Sequence, residues 1–278
     1  MTRTTSAEPD RTDAVGPPER SSRARIAWIS AGLVLASVIV PAGAVSIVGS
    51  VAYQSLAPRQ RVFTSPITAV TVEASRGDIA VERGAGIDTV VTTSGVHGLT
   101  YPTDEERVVG RTLVVRSSCG TAIFNDRCNR HYVLHVPAGV AVTAHSGQGN
   151  VSVDGADRAV SAYTDQGDVT ITGGSGALQA SSGQGTVTVV GSAATSVSVH
   201  SDQGDVAVDL ITSPNRVTAT SDQGSVTVAL PKGPKSYRVH ASTSQGNVSD
   251  SVIVDPASRR VIDASSAQGD VAVRYRSG

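Results

Sequence analysis

The 278-residue chain carries 23 basic and 24 acidic side chains, and a net charge of −1 excludes an electrostatic nucleic-acid binder, which needs a basic face. Glycine contributes 28 residues, above the usual share of about 7%. Gly and β-branched residues are poor helix formers, so a helical bundle is excluded. A hydrophobic content of 39% at low net charge excludes a disordered polymer as well.

Residues 1–25 hold Pro9, Pro17 and Pro18 among many Ser, Thr and Arg, with no apolar periodicity. They are expected to form a disordered cytoplasmic tail, too short to bury a core. From Ile26 to Tyr53 no residue is charged. As a helix this segment reaches roughly 42 Å, more than the ~30 Å of a bilayer core. Trp28 and Tyr53 stand at its two ends, where amphipathic rings favour the headgroups, and Pro41 lies near the middle. Arg20, Arg23 and Arg25 precede the segment, against Arg59 and Arg61 after it, which places the N-terminus inside. A cleaved signal peptide is the rival reading, since Ala42-Gly43-Ala44 resembles a cleavage site. The segment is about twice the length of a signal core, which favours a single-pass anchor in the cell membrane. Both readings export everything that follows: a linker over 54–68 and a domain over 69–278.

Self-similarity organises that domain. Glycines recur at Gly77, Gly149, Gly167, Gly185, Gly204, Gly224, Gly246 and Gly269, and from Gly149 onward the spacings are 18, 18, 19, 20, 22 and 23. The earlier interval of 72 residues has room for three or four degenerate units. Seven residues before the Gly stands Val, Leu or Ile; five before it, Ala or Val; three before it, Ala, Ser or Thr. Two after it stands Val or Ile, and four after it as well, except at Asp250. Alternation on both sides is the pattern of strands with one buried face. The parity shifts across the Gly, so the chain bends there, using backbone angles that Gly supplies. The Asp, Asn, Ser or Thr that follows can bond nearby backbone. Strand, corner, strand and loop at this period predict an all-β fold. It is a β-solenoid of stacked coils of about 18–23 residues behind one transmembrane helix.

Between Val81 and Pro137 the corner signature lapses, while strand-like runs persist at residues 88–93, 111–116 and 132–136. These read as irregular first coils. Cys119 and Cys128 are the only cysteines, both on the exported side, and are expected to form a disulfide that staples a loop beside them. Residues 271–276 read as a final edge strand whose arginines discourage end-to-end stacking.

Seven glutamines precede the corner glycines: Gln148, Gln166, Gln184, Gln203, Gln223, Gln245 and Gln268. In stacked coils they are expected to form an amide ladder. Asp165, Asp168, Asp202, Asp205 and Asp222 cluster at successive corners and are calcium candidates, with turn chemistry as the simpler reading. Arg76-Gly77-Asp78 occupies a corner slot and reads as a repeat variant. His131 and His135 lie roughly 13 Å apart along a strand, too far to chelate one metal. His145 and His200 share one outward slot three coils apart, and all six histidines read as surface residues. There is no nucleophile elbow, phosphate loop or zinc-protease motif, and no cofactor or resident metal is expected.

The Ser-Asp-Gln-Gly-Asp-Val corner, the run Tyr132-Val133-Leu134-His135-Val136-Pro137-Ala138-Gly139 and the leading apolar segment resemble the bacterial "putative adhesin" domain family of unknown function. The resemblance covers about Val70 to Gly278. It implies a β-solenoid on the cell envelope and supplies no catalytic residue. The expected function is a binding or structural surface toward cell-wall polymer or an envelope protein, without catalysis. A polysaccharide-acting enzyme is a second reading, which the seven exported aromatics do little to support. An envelope-stress sensor acting through a partner of residues 1–25 is a third.

Overall fold

The computed structural model describes residues 54–98, 101–120 and 128–276. These residues are all-β and build a solenoid-like stack of mostly parallel strands in two sheets of ten and eleven strands. Each coil places the strand before its corner in the ten-stranded sheet and the strand after it in the eleven-stranded sheet. The coil of residues 216–230 is typical. Val217, Ala219 and Ser221 are buried along Arg216–Gln223, and Val226, Val228 and Leu230 along Val226–Leu230. The core between the sheets is therefore a column of Val, Ala, Ile and Leu, with Tyr132 and Tyr237 its largest members. Two hydrophobic faces only a few atoms deep have little room for aromatic rings, which accounts for their scarcity.

The corner glycines carry positive φ, 144° at Gly149 and 141° at Gly167. A Cβ at either would also collide with the carbonyl of the corner Gly one coil away. Three kinds of bond lock adjacent corners. The Gly N–H donates to the carbonyl of the next coil's Gln, as from Gly167 to Gln184 at 2.9 Å. From Gly149 onward a hydroxyl three residues before the Gly caps a neighbouring Gly carbonyl. Ser146 bonds Gly77, Thr164 bonds Gly149, Ser182 bonds Gly167 and Ser201 bonds Gly185, all at 2.7–2.8 Å. Each such bond contributes about 1 kcal/mol, and more is lost if the carbonyl is left bare. The residue after the Gly completes the set: Asp78, Asn150, Asp168, Asp205 and Asp270 each accept a backbone N–H from a neighbouring coil.

Rung order departs from chain order at both ends. Coil 69–83 lies between coil 112–136 and coil 141–154. The 72 residues between Gly77 and Gly149 are thus a single step, closed by Gly77 N–H to Gln148 O at 2.7 Å. The expected three or four degenerate units are one coil and two antiparallel strands, Thr89–His97 and Thr103–Val109. In coil 112–136 the Cys119–Cys128 disulfide ties the end of the first strand to the start of the second. At the other end coil 261–275 is slotted between coils 216–230 and 238–250. Strand Val271–Tyr275, expected at the edge, is therefore internal, and Arg276 pairs with Asp209 at 3.1 Å.

Residues 54–63, expected within a linker, form strand Gln54–Phe63 on the edge of the eleven-stranded sheet. It pairs because Thr89–His97, itself antiparallel to Asn129–Val136, offers a free edge. The expected tail 1–25 and membrane span 26–53 lie outside the described residues, among which no helix is long and apolar enough to cross a membrane.

Candidate functional site

The two outer faces differ in chemistry. On the eleven-stranded sheet the row three residues after the corner runs Ala80, Ser152, Thr170, Thr188, Ala207, Thr227, Ala272 and Ser249, without charge. On the ten-stranded sheet the row four residues before it runs Arg116, Glu73, His145, Tyr163, Ser181, His200, Thr220, Ser265 and Ser242. Parallel in-register pairing sets such residues side by side at one strand spacing, ~4.8 Å. The eleven-stranded sheet carries charge in its next outward row, at Glu82, Asp154, Asp209 and Arg274, and the groove lies on the ten-stranded sheet.

A groove of about 600 Å³ opens where this face meets strand Thr103–Val109, lined by Glu73, Glu105, Arg116, His145, Gly147 and Asp165. Gly147 has no side chain in the row that Asp165 occupies one coil on, which leaves the gap. Arg116 holds Glu73 through two bonds, Nε to Oε2 at 2.9 Å and Nη2 to Oε1 at 3.1 Å. The bond and charge of Glu73 raise the Arg116 pKa further. Glu73 is thereby committed as an ion-pair partner rather than a free general acid. Beside it the His145 and Tyr163 rings lie 4.7 Å apart at 42°. Asp165 sits 3.8 Å from His145 Nε2 and accepts a hydrogen bond from Tyr163, which pushes the phenol pKa up. The result is a groove rimmed by charged side chains with one exposed aromatic ring, Tyr163, beside it, able to hydrogen-bond and stack on a ligand.

The structure sorts the sequence-level candidates. The seven glutamines stand in register, from Gln148 beside Gln166 to Gln268 beside Gln245. Their side chains are exposed, and among the described residues no hydrogen bond joins their amides. The rung-to-rung bonds at these positions run through the glutamine backbone carbonyls. Of the five calcium candidates, Asp168 and Asp205 spend an oxygen on neighbouring N–H groups, at 2.8 and 2.7 Å. Asp165 is separated from Asp202 by the rung of Gly183. Only Asp202 and Asp222 approach each other, in company with His200. Arg76-Gly77-Asp78 is built into a corner: Gly77 is buried and Asp78 accepts the Asn150 N–H. His97 is buried, against the expectation that every histidine is at the surface, and its Nδ1 lies 2.9 Å from the Gly98 carbonyl.

The groove was not evident in the sequence. Alignment on the corner Gly does put Glu73, His145 and Tyr163 in one slot, but placing Glu73 next to His145 requires knowing that Gly77 and Gly149 are adjacent rungs. Arg116 sits in a coil where the corner signature lapses.

Solved structures similar to this chain include three of similar description. A "putative adhesin" from Bacteroides fragilis is 14% identical, with 79% of this chain and 97% of that chain covered at a TM-score of 0.50. A "putative cell adhesion protein" from Clostridium sporogenes is 11% identical over 79% and 100%, at 0.33. A "putative adhesin" from Parabacteroides merdae is 9% identical over 79% and 96%, at 0.38. No curated protein matches the chain. The sequence model of one family spans nearly all of the stack, residues 58–274, from the first edge strand to the last slotted coil, and the chain belongs to that family, Toastrack DUF4097.

Proposed function

We propose that this chain is a membrane-anchored envelope protein whose outward domain is a binding surface for cell-wall polymer, without catalysis. Residues 26–53 hold it in the membrane and the stack lies outside the cell. The groove beside Tyr163 carries the reading. It is open and rimmed by charged side chains, its carboxylate Glu73 is paired with Arg116, and Tyr163 beside it offers a face to a sugar ring. The in-register rows extend this surface coil by coil, which suits a repeating ligand. The adhesin-like description of the Bacteroides fragilis structure agrees with a binding role.

The test is co-sedimentation of residues 52–278, the compact unit, with isolated cell wall. Saturable binding is expected, weakened roughly tenfold by Tyr163→Ala and by Arg116→Ala. Absence of sedimentation, or binding indifferent to both changes, rejects the wall-polymer reading. Protease accessibility of the domain on intact cells tests its location separately.

A further inference from the structure

His200, Asp202 and Asp222 present one ligand atom each, all within 4.8 Å of one another, two rungs beyond the Tyr163 groove. His200 and Asp202 alternate by two on strand Ser196–Gln203 and so share its outer face. Asp222 comes from the neighbouring strand Arg216–Gln223. His200 Nε2 lies 2.7 Å from Asp202 Oδ1, and its Nδ1 lies 2.8 Å from Thr220 Oγ1 on the next coil.

We propose that these three side chains form a binding site for a divalent transition metal of the zinc type. Carboxylates alone at these corners would be turn chemistry; the imidazole is what changes the assignment. A nitrogen ligand disfavours calcium and magnesium, which take oxygen, and favours zinc, cobalt or nickel. The Thr220 hydroxyl supplies the outer partner that orients a metal-bound imidazole, with Nδ1–H donating to it and Nε2 turned to the metal. Two carboxylates held on adjacent rungs repel each other, and a dication relieves that repulsion. The ligands are fixed by paired strands rather than by a loop, so little ordering is needed on binding. Three protein ligands leave a coordination position open to water or to a ligand group. Asp168 and Asp205 each spend one oxygen on a neighbouring backbone N–H and have no imidazole grouped with them among the described residues.

The test is calorimetric titration of zinc into the metal-free, untagged full-length chain in detergent, with calcium in parallel. One equivalent of zinc is expected to bind, with calcium at least about a hundredfold weaker. His200→Ala and Asp222→Asn each weaken zinc at least about tenfold, and His145→Ala, beside Asp165, does not. Cobalt gives a visible absorption band that His200→Ala abolishes. All three altered residues are outside the core, and an unchanged strand signal in circular dichroism confirms that the variants fold. No zinc binding, or zinc and cobalt signals that persist in both His200→Ala and Asp222→Asn, overturns the site.

Discussion

The two ends of the stack are finished in different ways. Beyond coil 112–136, strand Thr103–Val109 closes one sheet, and strands Thr89–His97 and Gln54–Phe63 close the other. Between them lies a paired polar network. Asp104 holds Arg130 and accepts from the Tyr132 hydroxyl at 3.2 Å; Glu106 pairs with Arg61 at 3.0 Å. The Cys119–Cys128 disulfide closes the corner of the same coil. At the opposite end coil 238–250 is bare. Val248 there is 47% exposed, Val239 and Ala241 are only partly covered, and Asp250 takes the inward slot that Val273 fills one coil in. One end is sealed by strands and charge pairs. The other is guarded by a single inward carboxylate, a device that keeps a free edge from pairing with another chain. A repeat can therefore be terminated either by adding structure or by spoiling one position.

The largest contrast is expected from removing an inward acid at each end. Asp104→Ala removes the partner of the Arg130 guanidinium and the acceptor of the Tyr132 hydroxyl and should cost about 1.5–3 kcal/mol. Asp250→Ala should change stability by less than about 0.5 kcal/mol. Urea midpoints decide this, and equal losses would dissolve the distinction. Replacing both Cys119 and Cys128 by Ser should cost about 2–3 kcal/mol, the chain-entropy value for so short a loop. Limited proteolysis should then cut first in that corner.

Removing a hydroxyl cap grades the interior against the open end. Ser201→Ala strands the Gly185 carbonyl in the middle of the stack, at a cost of about 1–3 kcal/mol. Thr243→Ala, the same change at the bare coil, should cost under about 1 kcal/mol because water reaches the Gly269 carbonyl. The smallest effect on folding, and the sharpest on assembly, is expected of Asp250→Val. The variant should stay folded and self-associate with concentration in sedimentation velocity, whereas the parent chain does not. A monomeric variant would show that the carboxylate is no guard.

Much of the coil was legible in the sequence, and the reason is local. Buried Val and Ala alternate within seven residues of each Gly, and the parity shift across Gly204 marks its corner without reference to any other coil. What depended on neighbours was not legible. Ser201 and Ser221 read merely as small, because the carbonyls they cap belong to Gly185 and Gly204, sixteen and seventeen positions away. Rung order was hidden for a related reason: every coil offers the same backbone edge, so nothing in residues 261–275 states that they belong inside coil 238–250. Asp250 was visible as an exception, but its meaning required knowing that its coil is outermost. His200, Asp202 and Asp222 follow from two-residue alternation and a twenty-residue spacing, yet treating the corner carboxylates as one class concealed the one pair that meets an imidazole.

The slotted coils bear on how the domain unravels. In a stack wound in chain order, tension on either end peels away the outermost turn, then the next, with only one interface broken at a time. Here a pull on the segment after Tyr275 acts on a turn held on both sides, by strand Val226–Leu230 and by strand Val248–Asp250. Two ladders must shear together before any length is released. The same holds for coil 69–83, gripped by its neighbours on both flanks. Fraying from that side is thus denied its usual starting point, whereas strand Gln54–Phe63, paired on one flank only, is the piece that peels first under a pull from the other side.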